Sequence, residues 1–200
     1  MKLRVFNIIK NTKTEGPKNR YCIWVQGCSR HCKGCQAVHT WAHDKGDLYD
    51  VNSIISDIIK TSNMYNIEGV TFLGGEPFEQ AEALGIIAEE VQKNGLSVVC
   101  FTGGKYEELK ENLVNKKLLD NTDLLIDGEF IQELADYSRA WCGSSNQRYI
   151  FLTDRYNESI VKQYKNKVEI NISKNGQIFM NGMGNFEEIL RKVDLAELKL

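Results

Sequence analysis

The sequence predicts an α/β fold built on a mainly parallel sheet, and two observations support this prediction. Short, nearly continuous apolar segments recur along the chain, as expected of strands covered on both faces. Between them lie segments whose apolar residues repeat at the spacing of an amphipathic helix. Right-handed crossovers between parallel strands lead to an open doubly wound sheet or to a complete or partial barrel. In either architecture, ligands collect where the strands reach their carboxyl ends.

Six segments have the apolar character of strands, and a helical pattern follows most of them. The predicted strands are residues 3–9, 21–26, 69–73, 97–101, 123–126 and 149–152. The first predicted helix begins after Asp50, which is a suitable N-cap. The other predicted helices lie at 79–93, around 106–113, near 129–134 and around 160–164. The order of strand, glycine- or acid-bearing loop and helix therefore recurs without any repeat of sequence.

The last quarter of the chain has a different pattern. Residues 168–172 turn near Asn175-Gly176 into residues 177–180, which predicts a hairpin, and a helix follows on Phe186, Ile189, Leu190 and Val193. We therefore expect residues 1–152 to form a core. Residues 153–200 are expected to form an extension of the same domain, with the last helix of the core, the hairpin and a helix. We expect this extension to dock a partner or to close a sheet edge, away from the strand-end loops.

Composition excludes several functional classes. The 42% hydrophobic and 26% charged content is ordinary for a globular protein, and the formal net charge of −2 does not favour nucleic acid or an anionic membrane. No apolar run approaches the length of a membrane span, and the charged N-terminus does not resemble a signal peptide. Six cysteines with three bunched together do not suggest a secreted disulfide framework, so we expect a reducing, cytoplasmic environment.

Three of the six cysteines form the most informative motif. Cys28, Cys32 and Cys35 have the spacing C-x3-C-x2-C directly after an apolar strand. A [4Fe-4S] cluster held by three thiolates would keep one iron open, which favours catalysis. The alternatives are a zinc site completed by His31, His39 or His43, and a redox disulfide in which Cys28 would have no role. Cys22 and Cys100 lie in apolar strands and are expected to be buried, whereas Cys142 is a weaker candidate for chemistry.

Three further loops follow predicted strands and should lie on the same rim as the cysteines. They are Gly74-Gly75-Glu76-Pro77, Thr102-Gly103 and Asp127-Gly128. Glycine has no Cβ, so its backbone can approach a ligand closely. Each loop taken alone could also be a tight turn or a helix cap.

Together these segments resemble a known superfamily. The cysteine spacing followed by Gly74-Gly75-Glu76-Pro77 is similar to the radical S-adenosylmethionine enzymes. More narrowly, the chain resembles the activating proteins of anaerobic (class III) ribonucleotide reductase. This second resemblance rests on Lys33-Gly34-Cys35, Thr40-Trp41, Gly46, Thr102-Gly103, Asp127-Gly128-Glu129-Phe130 and the segment from Gly143 to Arg148.

The resemblance implies a fold, a chemistry and a set of partners. It implies a partial (β/α)6 barrel of mainly parallel strands, and the pattern of the last quarter of the chain adds a small C-terminal hairpin and helix. It also implies an oxidoreductase that reductively cleaves S-adenosylmethionine to a 5′-deoxyadenosyl radical and generates a glycyl radical on a large partner, an anaerobic ribonucleotide reductase or a close analogue. The implied electron donor is a flavodoxin or a ferredoxin. A radical enzyme acting on a peptide or small molecule, and a non-catalytic zinc module, remain as alternatives.

The resemblance also assigns residues to the cofactors. Cys28, Cys32 and Cys35 would hold the [4Fe-4S] cluster. The residues that would contact S-adenosylmethionine are Gly34, Gly74, Gly75, Glu76, Thr102 and Asp127.

Overall fold

A seven-stranded sheet forms the centre of the protein. The computed structural model describes residues 1–176 and 178–192. Within that part of the chain, the strands of this sheet are β1 (Lys2–Thr12), β2 (Arg20–Val25), β3 (Asp47–Asp50), β4 (Gly69–Gly74), β5 (Ser97–Phe101), β6 (Leu124–Asp127) and β7 (Arg148–Phe151). They are arranged in the order β3-β1-β2-β4-β5-β6-β7.

Helices connect and cover these strands. They are α1 (Val51–Tyr65), α2 (Ala81–Lys93), α3 (Tyr106–Leu109), α4 (Lys116–Asp120), α5 (Glu158–Lys162) and α6 (Phe186–Lys192). Asp50 caps α1 as predicted, because its Oδ1 accepts the backbone N–H groups of Asn52 and Ser53 at 3.0 and 3.3 Å. None of the helices that the structure describes is both long and apolar enough to cross a bilayer.

The central strands are parallel and the outer ones are not. Strands β2, β4, β5 and β6 pair in parallel, whereas β1, β3 and β7 pair antiparallel to their neighbours. The mixed α/β fold with a mainly parallel central sheet is thus confirmed, but a partial (β/α)6 barrel is not. The reason is in the connections, since a parallel pair needs a long crossover. Residues 13–19 between β1 and β2 are too few for one, and the link from β6 to β7 carries only the single 3-10 turn Gln132–Leu134 where a helix was predicted.

Helices α1 and α2 pack their apolar faces on one side of the sheet. Ile54, Ile58, Leu84 and Ile87 are fully or almost fully buried there, against strand residues such as Phe72. The predicted helices at these positions are confirmed. Strand β3 was not predicted, because its four residues include two aspartates and it is a largely exposed edge strand with no apolar pattern.

The predicted hairpin is present and stands apart from the main sheet. Strands β8 (Val168–Ile172) and β9 (Ile178–Gly182) form a separate two-stranded antiparallel sheet in which Glu169 pairs with Asn181. It therefore closes no edge of the seven-stranded sheet by strand pairing. Gln177 of the predicted second hairpin strand and Val193 of the predicted last helix lie outside the described residues, as do residues 194–200 of the predicted extension.

The packing of α2 leads to a direct prediction about stability. Leu84→Ala removes a side chain that is fully buried between α2 and the sheet, and it should lower the free energy of unfolding by about 3 kcal/mol through lost burial and a residual cavity. Leu113→Ala is the matched control, because that leucine is 84% exposed and its loss should change stability by less than about 0.5 kcal/mol. Urea denaturation of both variants would measure the difference, and equal losses would contradict this account of the core.

Candidate functional site

One cavity lies at the carboxyl ends of the parallel strands. It has a volume of about 240 Å³ and is lined by residues from the loops after β2, β4, β5 and β6. Most of the residues predicted for the site meet there: Cys28, Cys32, Cys35, Gly74, Gly75, Glu76 and Thr102. The opposite side is lined by Glu15 and by residues from Phe179 to Met183. The strand-end rim predicted from the sequence is therefore a single concave site.

The cysteine loop is fixed by backbone hydrogen bonds at its start. Gly27 N–H donates to the carbonyl of Thr40 at 2.7 Å, and Cys28 N–H donates to that of Trp41 at 3.1 Å. Beyond Cys28 the chain turns through a left-handed backbone conformation at His31, with φ of 49°. All three cysteines of this loop line the cavity.

Backbone N–H groups point at the cysteine sulfurs. Ala37 N–H donates to Cys35 Sγ at 3.4 Å. Burial raises the pKa of the Cys28 thiol, and hydrogen bonds from the backbone of Arg30 and His31 oppose that rise. Burial likewise raises the pKa of Cys32, opposed by a hydrogen bond from the backbone of Phe130. Such N–H groups stabilise thiolates, which are the form that binds metal.

The two simpler uses of the cysteines do not fit this geometry. All six cysteines are free thiols. In the described ranges, no three His, Cys, Asp or Glu side chains converge tightly enough for one metal ion. Each histidine proposed for zinc has another partner: His31 stacks on Trp41, His39 packs against Phe6, and His43 hydrogen-bonds Glu79.

A four-iron cluster fits the three cysteines better. In such a cluster each thiolate binds a different iron, so its sulfurs stand farther apart than the ligands of a single ion. The three cysteines line one cavity and each has an N–H group directed at its sulfur, which suits thiolates that hold a cluster.

Glu76 joins the loops around the cavity. Its carboxylate, almost completely buried, accepts four hydrogen bonds. Arg30 Nε and Gly103 N–H donate to Oε2 at 2.8 and 3.0 Å, and Thr102 Oγ1 and Phe78 N–H donate to Oε1 at 2.7 and 3.1 Å. A buried carboxylate is tolerated only when it is satisfied in this way. The hydrogen bond from Thr102 to Glu76 thus connects the loop after β5 to the loop after β4.

Gly75 is explained by a close approach of two backbones. Its N–H donates to the carbonyl of Val25 at 2.8 Å, and a Cβ at this position would lie 2.1 Å from the carbonyl oxygen of Gly27. Gly75 is therefore required by the packing of its loop against the start of the cysteine loop. Its absence of a side chain also leaves the backbone exposed to the cavity.

Two predicted residues lie outside the lining of the cavity. The Asp127 carboxylate is completely buried and accepts hydrogen bonds from Arg148 and from the backbone N–H of Tyr106, so it caps α3 and holds β7. Gly34 adopts φ of +76° within the cysteine loop and faces the Gln132 side chain. Cys142 is buried in a second apolar cluster with Trp141, also away from the cavity.

The structure adds residues that the sequence did not single out. Arg30 connects the cysteine loop to Glu76, and Glu79 accepts the backbone N–H of Ser29 at 2.8 Å. Both hydrogen bonds join the cysteine loop to the segment after β4. The only signals for these two residues in the sequence were an arginine inside the cysteine motif and an acid three residues after Glu76. Gln147, from the segment Gly143 to Arg148, also reaches the cavity.

Glu15 is the most unusual residue of the site. It is 2% exposed, its Oε1 accepts the backbone N–H of Gly182, and its Oε2 has no hydrogen-bond partner in the described structure. Burial, with a smaller contribution from repulsion by Glu169, raises the pKa of Glu15 from its ordinary value of 4.5 to about 7. Its position in a polar, turn-rich segment gave no indication of burial.

The C-terminal extension reaches the site, contrary to expectation. Phe179 packs edge-on against Trp24 with ring centroids 5.9 Å apart. Asn181 Nδ2 donates to Thr12 Oγ1 and Thr14 Oγ1 at 3.0 and 2.6 Å. The expectation that the extension lies away from the strand-end loops is therefore wrong, because residues of β9 line the cavity.

Comparison with known proteins supports an iron–sulfur function. A family model described as a 4Fe-4S single cluster domain matches residues 14–150. The chain is similar to the anaerobic ribonucleoside-triphosphate reductase-activating protein of Haemophilus influenzae, with 34% identity over 139 residues that cover 66% of this chain and 87% of that relative. The proteins of the same name from Escherichia coli K12 (31% over 138 residues, 66% and 88% covered) and Enterobacteria phage T4 (30% over 143, 70% and 88%) are similar as well.

A solved structure of QueE from Escherichia coli aligns with 52% of this chain and 54% of its own, at 21% identity and a TM-score of 0.44. That partial likeness adds nothing to the assignment.

Fold and site thus define an iron–sulfur protein of the radical S-adenosylmethionine class. Within that class, the chain belongs to the family of the anaerobic ribonucleoside-triphosphate reductase-activating proteins. This membership confirms the predicted superfamily, the enzyme class and the predicted cofactors, a [4Fe-4S] cluster and S-adenosylmethionine.

The approach of Gly75 to Gly27 predicts the effect of adding one carbon. Gly75→Ala should force the loop after β4 away from the cysteine loop, lower the free energy of unfolding by more than about 2 kcal/mol and impair cluster assembly. Gly95→Ala is the control: its φ of +77° costs about 1 kcal/mol, but nothing lies within 4 Å of the new Cβ. Iron content after anaerobic reconstitution and urea denaturation measure both effects. A Gly75→Ala protein with full iron content and the stability of Gly95→Ala would contradict this account.

The raised pKa of Glu15 predicts a pH dependence of stability. A carboxyl whose pKa is higher in the folded protein stabilises it fully below the unfolded value of 4.5, and this contribution is lost as the pH rises through about 7. Glu15→Gln removes the titration. Its free energy of unfolding relative to the wild type should therefore rise by about 1 kcal/mol between pH 6 and pH 8. If the free energies of unfolding of the two proteins changed with pH in parallel, the pKa of Glu15 would not be raised in the folded protein.

Proposed function

We propose that this protein is an activase that generates a glycyl radical on an anaerobic ribonucleoside-triphosphate reductase. The observation that carries the proposal is the meeting of Cys28, Cys32 and Cys35 with the Gly74-Gly75-Glu76 loop around one cavity. The names of the relatives support the choice of partner. They favour the reductase over a free peptide or a small molecule as the substrate.

The residues have separate roles in this proposal. Cys28, Cys32 and Cys35 hold the cluster, and three thiolates leave one iron open for S-adenosylmethionine. The backbone of Gly74 and Gly75, which lines the cavity, meets that cofactor. Bound there, the cluster and S-adenosylmethionine supply a 5′-deoxyadenosyl radical formed by reductive cleavage.

Other residues of the chain position the cofactors and shield them. Glu76 fixes the loops by accepting hydrogen bonds from Thr102 and from Arg30. Gly34 permits the turn between the second and third cysteines by its left-handed conformation. Asp127 acts only through Arg148 and α3, so it is not part of the cofactor contacts in this proposal.

Apolar side chains exclude water from the cavity. Trp24, Leu73, Phe101 and Phe130 are among its lining residues. An apolar wall protects a reactive radical from side reactions, which is the main contribution of the protein in cofactor-driven chemistry. A flavodoxin or ferredoxin as the electron donor, a cytoplasmic location and the absence of binding to nucleic acid stay predictions.

The assignment of the cysteines has a direct test. Protein purified and reconstituted without oxygen should contain about four iron and four sulfide per chain. Cys32→Ala should lose the cluster, the formation of 5′-deoxyadenosine with dithionite, and the glycyl radical that electron paramagnetic resonance detects on added reductase.

Cys100→Ala is the matched control, because Cys100 is completely buried in the main core and does not line the cavity. It should keep the cluster, the formation of 5′-deoxyadenosine and the glycyl radical on the reductase. A full cluster in Cys32→Ala would disprove the ligand assignment. Cleavage of S-adenosylmethionine without any radical on the reductase would disprove the proposed partner.

A further inference from the structure

A glycine-bearing segment of this chain lines the cavity. Strand β9 and the bend after it contain Gly182 and Gly184, and residues from Phe179 to Met183 line the cavity. They lie beyond residues 14–150, where the family model matches. The proposed reaction requires a glycine of another protein to enter this same cavity.

Two side chains of the core hold this segment by its backbone. Gly182 N–H donates to Glu15 Oε1, and Gln36 Nε2, next to the cluster cysteine Cys35, donates to the carbonyl of Gly184 at 2.9 Å. Contacts to backbone groups do not depend on side-chain identity. The same two groups could therefore bind any extended segment that presents glycine.

The segment is held in a way that allows release. In the described part of the chain, β8 and β9 pair only with each other, so the hairpin can leave without unpairing the main sheet. Docking also buries Glu15 with Oε2 unpartnered, which carries a desolvation cost that release would recover. Polar contacts of Asn181 and Glu169 with Thr12, Thr14 and Lys13 oppose release.

We propose that residues 178–184 are an internal pseudosubstrate, which occupies the position that the glycine-bearing segment of the reductase takes in the active complex. Glu15 and Gln36 then bind the backbone of that incoming segment. This inference rests on the proposed function and adds to it a substrate subsite and a means of self-occlusion. A tethered segment competes at a high effective concentration, so it lowers the apparent affinity of the site for a free competitor.

The test uses the full-length, cluster-loaded protein and one synthetic peptide. The peptide copies residues 178–184 with both ends blocked, and titration calorimetry measures its affinity. Asn181→Ala and Glu169→Ala each remove contacts that hold the hairpin on the core. Asn175→Ala is the matched control, since this asparagine lies in the exposed hairpin turn.

We expect both hairpin variants to bind the peptide at least about tenfold more tightly than the wild type or Asn175→Ala. With reductase, both should show a lower KM and an unchanged kcat for radical formation. Equal peptide affinity in all four proteins, or no binding to either hairpin variant, would overturn the proposal. A raised KM for the reductase would also overturn it, because the hairpin would then be a docking surface.

The outcomes separate this inference from the proposed function. If the peptide binds as expected but no protein forms a glycyl radical on the reductase, the proposed function fails and the internal pseudosubstrate stands. If the wild type forms the radical but all four proteins bind the peptide alike, the internal pseudosubstrate fails and the proposed function stands.

Discussion

The buried carboxylate of Glu76 is the group on which the arrangement of the site depends. It receives hydrogen bonds from the cysteine loop through Arg30, from the loop after β5 through Thr102 and Gly103, and from its own turn through Phe78. All four acceptor positions of the carboxylate are thereby used. Removal of any donor would leave a buried charge under-satisfied, so the three loops are fixed relative to one another.

The parallel strands make this convergence possible. Strands β2, β4, β5 and β6 end on the same side, and each delivers one loop to the cavity. The antiparallel outer strands leave the sheet open. Strand β9 is held on the core through Asn181 and Phe179 and lines the cavity, so a segment outside the matched family region forms part of the site.

Much of the site was predictable because its chemistry depends on residue type at short spacing. Three cysteines within eight residues, and two glycines followed by an acid at a strand end, have few alternative uses. The assignment of Asp127 to S-adenosylmethionine stays a prediction, because an acid at a strand end can equally well hold a helix start, and here Asp127 accepts hydrogen bonds from Tyr106 and Arg148. Arg30 and Glu79 were missed because their partners are distant in sequence.

The sequence by itself determined most strands and helices of the core, the clustering of the three cysteines and the class of chemistry, since these follow from local periodicity and spacing. Strand direction was decided by the tertiary structure, because β1 and β7 have the same apolar pattern whether they pair parallel or antiparallel. The burial of Glu15 beneath Gly182 was likewise decided by long-range packing. No local pattern encodes it, because the two residues are 167 positions apart and meet only when the hairpin folds back over the cavity.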